Sequence, residues 1–420
     1  MIDIENKETE KAILVGVSKG LNTRRVTEEH LEELELLADT AGAETVIKFF
    51  QDRDSYDPAY FIGKGKAEEI LEYAKENNIN LVIFDDDLNP TQLRNLEKLF
   101  ERKILDRSAL ILDIFASHAK TKEAKTQVEL AQLQYMLPRL TRAWTHLSKQ
   151  LGGIGTKGPG ETQIETDRRI IRTRISKLKD TLKKIEAQHV TKSAGRQDLI
   201  NVSLVGYTNA GKSTLLNQLT GADVLAEDKL FATLDSTTRS FDLDKNKKVL
   251  LSDTVGFIRK LPPHLVASFK TTLNVVREAD LILHIIDVSN EFYEEHIEVV
   301  DETLKSLGCE TKPQIKVFNK IDLLEDKQKL EFISQHYKDC VFISSMRGFG
   351  INSLIEKISD FYEMNYIVHT IHLKQTQGKL ISAIYELADI LESVYEEDSI
   401  VIKYRTSKEM HNKILSMLQN

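Results

Sequence analysis

Apolar and polar positions alternate with two different periods along the first part of the chain, and this pattern predicts strands separated by helices. The run KAILVGV at 11–17 is almost continuously apolar, as a strand buried on both faces requires. The segment 26–42 spaces its apolar residues three and four apart and ends at Gly42, which predicts an amphipathic helix. The alternation continues to a short strand at KILDR, so we expect a mainly parallel α/β domain over residues 1–115.

A heptad pattern governs residues 116–197. Two series of apolar residues step by three and four, as the seam of a coiled coil does. The series are Leu130, Leu133, Leu137, Leu140, Trp144, Leu147 and Leu151, then Ile171, Ile175, Leu178, Leu182 and Ile185. The stretch GGIGTKGPGE at 152–161 cannot continue a helix. We therefore predict an antiparallel helical hairpin with this stretch at its tip, a kink at Pro138 and a linker at 189–197.

From Ile200 onwards strands and helical patterns alternate again. Five strands are predicted, at 200–205, 248–252, 281–287, 314–318 and 340–344. They define a second α/β domain over residues 198–364. The tail, 365–420, predicts a small β-α-β-α domain whose first helix spans 381–395.

The composition is that of a soluble globular protein, with 41% hydrophobic and 29% charged residues. No apolar run approaches the roughly 20 residues of a membrane helix, and the charged start MIDIENKETEK lacks the apolar core of a signal peptide. The two cysteines, Cys309 and Cys340, stand in unrelated contexts, which disfavours a zinc site or a disulfide framework. We expect a cytoplasmic protein without a membrane span.

The charge is distributed unevenly. The whole chain carries a net charge of -8, yet residues 118–197 carry +10 and the remainder -18. A basic element on an acidic protein suits contact with a polyphosphate such as RNA. The alternative is a solvated helical surface that is basic without binding anything.

The motif GYTNAGKS at 206–213 follows an apolar strand and precedes a helical pattern, which is the context that a phosphate-binding loop requires. Its glycines let several N–H groups point at phosphate oxygens, Lys212 holds the β- and γ-phosphates and Ser213 coordinates Mg²⁺. The residues that we assign to this part of the nucleotide site are Gly206, Tyr207, Thr208, Asn209, Ala210, Gly211, Lys212, Ser213 and Thr214.

Three further motifs complete the predicted nucleotide site, and one of them selects guanine as the base. DTVG at 253–256 follows the apolar run KKVLL, as a metal-facing aspartate at a strand end should. In NKID at 319–322, the Asp322 carboxylate can accept hydrogen bonds from N1–H and the exocyclic amine of guanine, and adenine offers no such pair of donors. A third loop, SSM at 344–346, can present a backbone N–H to guanine O6. The residues that we assign to these loops are Asp253, Thr254, Val255, Gly256, Asn319, Lys320, Ile321, Asp322, Ser344, Ser345 and Met346.

This set of motifs resembles the translation-factor-like branch of P-loop GTPases. The resemblance implies a first switch at 231–239, in which Thr233 binds Mg²⁺, and Thr237 and Thr238 are alternatives for that role. Phe231, Ala232, Leu234 and Asp235 join the nucleotide site, and we assign Lys212, Thr233 and Gly256 to catalysis.

Two positions bear on how GTP is hydrolysed. Phe257 stands where Ras-like GTPases carry a glutamine that orients the attacking water, so intrinsic hydrolysis should be slow. Asn209 resembles the asparagine with which several potassium-stimulated GTPases hold K⁺ beside the phosphates. The alternative role of Asn209 is only to stabilise the loop.

Long blocks over residues 10–365 closely resemble the HflX family. They include DPAYFIGKGKAEEI (57–70), QVELAQLQYMLPRL (127–140), GGIGTKGPGETQIETDRR (152–169) and DTVGFIRKLPPHLVASFKTTL (253–273). The resemblance implies a cytoplasmic, monomeric, Mg²⁺-dependent GTPase that binds the 50S subunit and splits 70S ribosomes, under stress or at stalled and antibiotic-bound ribosomes. One departure is Ser345, where the family usually has alanine. Because guanine needs only the backbone there, we expect the contact to survive.

The resemblance makes the basic hairpin, residues 118–197, the rRNA-binding element. We expect its contacts at Arg168, Arg169, Arg172, Arg174, Arg139 and Arg142, with Lys157 at the tip. Trp144 falls in the heptad register and is expected in the seam. The triplet Asp85–Asp87 follows a strand and is expected to be a solvated turn rather than a metal site.

Two other functions remain open from the sequence. One is a GTPase that assists RNA modification or ribosome assembly, as the Era and TrmE groups do. The other is a nucleotide-gated binding module without turnover, which Phe257 mildly favours.

Overall fold

Three sheets organise the computed structural model, and their α/β content confirms the predicted multidomain fold with a P-loop GTPase domain. The structure describes residues 9–19, 24–140, 163–193, 199–221, 229–233, 236–244, 247–262, 265, 273–325, 328–396 and 398–418.

The first sheet has four parallel strands in the order β2-β1-β3-β4. Ala12 and Leu14 of β1 pack on one face, and Ile13 and Val15 pack on the other, which is why the run is apolar without alternation. Its strands are β1 (Glu10–Lys19), β2 (Ala43–Arg53), β3 (Leu81–Phe84) and β4 (Lys103–Asp106). Its helices are α1 (Arg24–Thr40), α2 (Lys64–Glu76) and α3 (Pro90–Phe100).

A buried helix, α4 (Arg107–His118), follows the first sheet, and the sequence analysis assigns no element there. Leu110, Ile111, Leu112 and Phe115 are all buried, because α4 packs against both α1 and the next helix. A helix that is apolar around most of its circumference has no polar face to mark its period. Its pattern is therefore indistinguishable from that of a short buried strand.

The predicted hairpin is present in its described part as α5 (Lys122–Arg139) and α6 (Gln163–Ser193), which pack against each other. Leu130 of α5 is buried with three residues of α6, and Leu133, Leu137, Ile171 and Ile185 pack around them. The three buried α6 residues are Ile175, Leu178 and Leu182. Pro138 lies inside α5, one residue before its end at Arg139, and the kink expected there stays a prediction because residues 141–162 lie outside the described part. Leu147, Leu151, Trp144 and the tip lie outside the described residues.

The second sheet has six strands in the order β10-β9-β8-β5-β7-β6. The five predicted strands are parallel, and β6 (Thr237–Asp244), which the sequence analysis missed, pairs antiparallel with β7 at the edge. The others are β5 (Ile200–Gly206), β7 (Lys247–Asp253), β8 (Leu281–Asp287), β9 (Gln314–Asn319) and β10 (Cys340–Phe342). The helices are α7 (Lys212–Thr220), α8 (Asn274–Glu278), α9 (Tyr293–Ser306), α10 (Gln328–His336) and α11 (Ile351–Asn365).

The tail forms an antiparallel sheet in the order β11-β13-β12. The single helix predicted over 381–395 is wrong, because its second half is a strand that pairs with β13. DILESVY carries enough β-branched and aromatic residues for a strand, and antiparallel pairing with β13, the next strand along the chain, decides between the two conformations. The elements are β11 (Tyr366–Lys374), α12 (Gly378–Leu387), β12 (Asp389–Tyr395), β13 (Ser399–Ser407) and α13 (Lys408–Leu418).

The first sheet and the second sheet meet at a buried ionic cluster that begins at Arg107. The Arg107 side chain is fully buried, and it forms ion pairs with Glu33 of α1 and, at 2.7 Å, with Asp85 at the end of β3. The two carboxylates hold the pKa of Arg107 above its ordinary value against the opposing effect of burial. Arg107 therefore neutralises two acids that could not otherwise be buried.

We expect Arg107→Ala to lower the free energy of unfolding by about 3–5 kcal/mol, because Glu33 and Asp85 would be left as underneutralised buried charges. Urea unfolding followed by circular dichroism measures this as a shift of the first transition. Arg94→Ala, which removes an exposed arginine of α3, is the matched control and should change stability by less than about 0.5 kcal/mol. Equal midpoints for the two variants would contradict the role of Arg107.

Candidate functional site

The phosphate-binding loop connects β5 to α7 at the carboxyl edge of the second sheet. Gly206 ends β5, and Lys212 begins α7. Gly211 has a φ of 94°, and a Cβ atom there would lie 2.3 Å from Asn319 Nδ2. Only glycine fits this position, so the loop can press against the neighbouring strand end.

Lys212 is buried within the loop. Its Nζ donates hydrogen bonds to the carbonyl oxygens of Gly206 at 3.1 Å and Tyr207 at 2.8 Å. Burial lowers the pKa of Lys212 to about 8, and the attraction of Asp253 only partly offsets that effect. An ammonium group held this way is desolvated before it meets a phosphate, which strengthens the attraction.

Three oxygen donors from three segments converge beside Lys212. Ser213 Oγ donates to Asp253 Oδ2 at 2.6 Å and lies 2.9 Å from Thr233 Oγ1. The Asp253 carboxylate is buried, its pKa is raised mainly by that burial, and its Oδ1 atom has no hydrogen-bond partner among the described residues. Hydroxyl and carboxylate oxygens are the ligands that Mg²⁺ prefers, and an orphaned buried oxygen is explained by a cation. The residues present therefore fit a magnesium ion.

The structure separates the threonines that competed for the metal. Thr233 lies beside Ser213, whereas Thr237 and Thr238 belong to β6, and the hydroxyl groups of Thr238 and Ser252 are 2.8 Å apart. Of the three threonines, Thr233 is thus the one whose hydroxyl lies beside Ser213. Leu234 and Asp235 lie outside the described residues.

The segment after β7 lies directly over the phosphate loop. A Cβ atom on Gly256 would approach Thr208 Cα to 2.7 Å, and Thr208 N–H donates to the Phe257 carbonyl at 2.7 Å. The Phe257 side chain is buried in the core that also contains Phe231. Phe257 therefore serves packing, and its position agrees with the expectation that it cannot orient a water molecule.

The predicted base-binding residues gather at the ends of β9 and β10. Asn319 is buried and donates to the Ala210 carbonyl at 2.8 Å, so it braces the phosphate loop. Asp322 is exposed in a 3₁₀ turn, where a base can reach its carboxylate. The backbone N–H of Ser345 donates to Asn319 Oδ1 at 2.9 Å, and Met346 is largely exposed.

Two residues of the site, Asp287 and Lys229, were not predicted from the sequence. Lys320 has a left-handed φ of 64° and its Nζ pairs with Asp287, at the end of β8, at 2.7 Å. Lys229 lines the cleft ahead of the first switch. Neither Asp287 nor Lys229 belongs to a motif, and only the fold brings them to the site. The residues that line the cleft are Thr208, Asn209, Gly211, Lys212, Ser213, Thr214, Lys229, Phe231, Ala232, Thr233, Thr254 and Gly256.

Not all predicted residues contact the cleft in the same way. Thr254 lines the cleft although it is fully buried, and its Oγ1 donates to the Leu204 carbonyl at 2.7 Å, whereas Val255 is buried in the core that also contains Phe257. Ser344 is buried and its Oγ accepts from the Arg347 N–H at 3.1 Å. Ile321 lies in the same 3₁₀ turn as Asp322. Asn209 lies in the cleft with a φ of 60°, and its potassium site stays a prediction.

Tyr207, inside the phosphate loop, contacts the first sheet's helices. Its hydroxyl donates to Glu33 at 2.7 Å and accepts from the Arg259 N–H at 3.1 Å, and its ring stacks on His296. Burial raises the pKa of Tyr207 well above its ordinary value, so the hydroxyl keeps its proton. A residue predicted to cradle phosphate thus also joins the two α/β parts.

The solvated turn expected at Asp85–Asp87 is wrong for its first residue. Asp85 is 2% exposed and pairs with Arg107, and it also binds Lys260 at 2.7 Å. Asp86 binds the same lysine at 2.6 Å. Lys260 follows Gly256 by four residues, so these acids hold the segment after DTVG (253–256), which we call the second switch.

The hairpin exposes a basic surface on α6. We define it by its exposed cations, which are Arg169, Arg172, Arg174, Lys177, Lys179, Lys183 and Lys184. The expectation that Arg139 contacts RNA is wrong, because Arg139 is mostly buried and pairs with Asp106 at 3.0 Å. Arg168 is partly buried and donates to the Leu140 carbonyl, and Arg174 pairs with Glu129. Arg142 and Lys157 lie outside the described residues.

Within the described ranges, the structure contains no helix whose length and apolar content would allow it to span a lipid bilayer.

Three family profiles match consecutive parts of the chain. They are GTP-binding GTPase N-terminal over residues 28–116, GTP-binding GTPase Middle Region over 118–196 and 50S ribosome-binding GTPase over 201–320. Together they span both α/β parts and the hairpin.

Similar proteins cover most of the chain. GTPase HflX of Flavobacterium psychrophilum is 51% identical over 343 residues, which are 80% of this chain and 83% of the relative. GTPase HflX of Escherichia coli is 44% identical over 398 residues, which are 93% of this chain and 92% of the relative. A crystal structure of a GTP-binding protein from the archaeon Sulfolobus solfataricus in complex with GDP is 26% identical, with a TM-score of 0.45, and covers 84% of this chain and 98% of its own.

The pKa of Lys212 makes phosphate binding depend on pH. Because phosphate oxygens attract the ammonium form, GTP binding above about pH 8 must return a proton to Lys212, and affinity should fall by up to about tenfold per pH unit. Calorimetry at about pH 9 in two buffers of different ionisation enthalpy should detect the uptake of up to one proton, and at about pH 7 little uptake by Lys212. Equal proton uptake at both pH values would contradict the lowered pKa.

Proposed function

The chain belongs to the HflX family of GTPases, and from this premise we propose that it binds the 50S ribosomal subunit and splits 70S ribosomes. GTP is its substrate, which it hydrolyses to GDP and phosphate. We place the splitting reaction in the cytoplasm, at ribosomes that are stalled or occupied by an antibiotic. We propose four domains: 1–115, the hairpin and linker 116–197, the GTPase domain 198–364 and the tail 365–420.

The observation that carries this proposal is the basic surface of α6. Its cations are exposed on one arm of a hairpin, while the rest of the chain is acidic, so the arm is the part of the described chain best suited to phosphate. Each cation that neutralises an RNA phosphate releases counterions, which favours binding at physiological salt. The acidic remainder would be repelled from the same RNA, which orients the arm towards it.

The GTPase site supplies the energy of this cycle. We propose that Lys212 binds the β- and γ-phosphates and that Ser213, Thr233 and Asp253 hold Mg²⁺, directly or through water. The ion, when bound, neutralises charge on the phosphate oxygens. A Cβ atom on Gly256 would lie 3.1 Å from Lys212 Nζ, and we propose that the backbone N–H of Gly256 faces the terminal phosphate.

Hydrolysis is expected to be slow without a partner. Phe257 has no polar atom on its side chain and is buried, so it cannot place the attacking water. We propose that binding to the 50S subunit completes the site.

The contacts around the switches provide a route from the nucleotide to the hairpin. Phe231 of the first switch packs edge-to-face on Phe115 of α4, with ring centroids 4.7 Å apart. The next helix along the chain is α5, where Tyr135 donates to Asp106, the residue that caps α4, at 2.7 Å. We propose that a change of the first switch on hydrolysis reaches the hairpin arm through α4.

Splitting should require GTP binding and not its hydrolysis. With a non-hydrolysable GTP analogue, we expect 70S particles to separate and the protein to stay on the 50S subunit, because the switches remain ordered. With GTP, the protein should leave after turnover. Sucrose gradients resolve the particles, and immunoblotting of the fractions locates the protein.

The control in that experiment is GDP, which should neither split ribosomes nor retain the protein. Turnover is measured in parallel with and without 50S subunits. Splitting that occurs with GTP and fails with the analogue would overturn the proposed order of events.

The basic surface is tested by reversing three of its charges. Arg172→Glu, Lys179→Glu and Lys183→Glu together should weaken 50S binding at least about tenfold, and should lower the magnitude of its salt-dependence slope by about one per residue. GTP affinity should stay unchanged, because these side chains are exposed on α6. Pelleting at several salt concentrations measures both effects.

The matched control applies the same charge change to exposed residues of the first α/β domain, in the triple variant Lys75→Glu, Arg94→Glu and Lys98→Glu. It should retain most of the binding. Equal losses in both triple variants would show that net charge alone matters and would rule out the hairpin as the RNA-binding element.

A further inference from the structure

We propose that the side-chain hydroxyl of Ser345 is a positioning group for guanine-nucleotide binding, which fixes the Asn319 carboxamide and thereby slows nucleotide dissociation. This role rests on GTP binding at this site and is independent of ribosome splitting. The sequence analysis gave Ser345 only a backbone role, which an alanine would fill equally well.

The Asn319 carboxamide is held on all sides. Its Nδ2 donates to the Ala210 carbonyl at 2.8 Å and to Ser345 Oγ at 3.0 Å, and its Oδ1 accepts from the Ser345 N–H at 2.9 Å. This assignment also fixes the orientation of the amide, because turning it over would place Oδ1 against the Ala210 carbonyl oxygen. Both protons of the Asn319 amide are therefore committed.

Ser345 provides two of the three bonds. The bond from its N–H is available to any residue other than proline, but the bond to its Oγ requires a hydroxyl group. Asn319 is fully buried and Ser345 is 4% exposed, so water has little access to the amide proton that Oγ accepts. Without the hydroxyl, that proton would lose its acceptor in a buried place.

Gly211 packs tightly where the phosphate loop meets the loops that carry Asn319 and Ser345. A Cβ atom there would lie 2.3 Å from Asn319 Nδ2 and 3.3 Å from Ser345 Oγ, so the phosphate loop and both base-side loops touch at one point. The Asn319–Ala210 bond joins the loop that carries Lys212 to the loop that carries Asp322. A fixed Asn319 keeps the phosphate-binding and base-binding halves of the site at a constant separation.

A bound nucleotide contacts both halves, so it leaves when they separate. Loosening Asn319 should therefore speed the dissociation of GDP and GTP alike. The chemical step depends on groups on the other side of the loop, Ser213, Thr233 and Gly256, and it should not change. This difference separates a positioning role from a general loss of stability.

Stopped-flow dissociation of fluorescent mant-GDP and mant-GTP tests the proposal. Ser345→Ala should release both nucleotides about fivefold to tenfold faster, corresponding to the loss of about one buried hydrogen bond. Ser345→Thr keeps the hydroxyl and should stay within about twofold of the original protein. The rate of single-turnover hydrolysis of prebound GTP should be the same in all three proteins.

Two further variants keep the result interpretable. Ser203→Ala is the matched control, because Ser203 is fully buried in β5 and its Oγ has no hydrogen-bond partner among the described residues. Ser345→Cys keeps the size of the side chain with a weaker acceptor; it should release both nucleotides faster than Ser345→Thr, and it replaces Ser345→Ala if that variant proves too unstable to study.

Unchanged dissociation from Ser345→Ala would overturn the proposal. So would a parallel change in the hydrolysis rate, or equally fast dissociation from Ser203→Ala, because either would indicate a general loosening of the sheet. None of these outcomes bears on ribosome splitting, which is measured separately.

Discussion

The buried carboxylate of Glu33 is the constraint on which the arrangement of this protein depends. A carboxylate shielded from water must be neutralised and hydrogen-bonded, and burial raises its pKa. Arg107 supplies the charge, and the hydroxyl of Tyr207 supplies a hydrogen bond. Arg107 and Glu33 belong to the first α/β part and Tyr207 to the second, so the two parts are in contact at this carboxylate. Because Tyr207 belongs to the phosphate loop, the contact that joins the two parts is also a contact of the nucleotide site.

The second switch is held by the same set of charges. Arg259 pairs with Glu29 at 2.6 Å, and Lys260 pairs with Asp85 and Asp86. Only two residues, both of them buried, separate Gly256 from Arg259 and Lys260 along the chain. Any displacement of Gly256 by a terminal phosphate must therefore be accommodated by ion pairs to the first α/β part, which couples the chemistry to a surface far larger than the cleft.

Local signals predicted most of the strands and the phosphate loop, because each of these depends on residues close in sequence, whereas β6 and β12 were missed. The motif GYTNAGKS is enough to predict a phosphate-binding loop, and the heptad spacing around Leu178 is enough to predict that this helix packs against another. The errors share another cause. DILESVY became a strand through pairing with β13, Asp85 was buried by Arg107 and Lys260, and Arg139 was withdrawn from the surface by Asp106. Each of these outcomes depends on a pairing partner, 5 to 16 positions away for DILESVY and 22 or more for Asp85 and Arg139, which periodicity cannot identify.

The two sides of the phosphate loop differ in how they are held. On the base side, Asn319 and Ser345 use short hydrogen bonds among buried neutral groups, whose strength does not depend on salt and which have few alternative partners. On the switch side, Arg259 and Lys260 use ion pairs that can exchange partners among Glu29, Asp85 and Asp86. In such a site the contacts to the base persist while the switch side rearranges. The chain therefore places its rigid contacts where GTP and GDP are identical, and its exchangeable contacts where they differ.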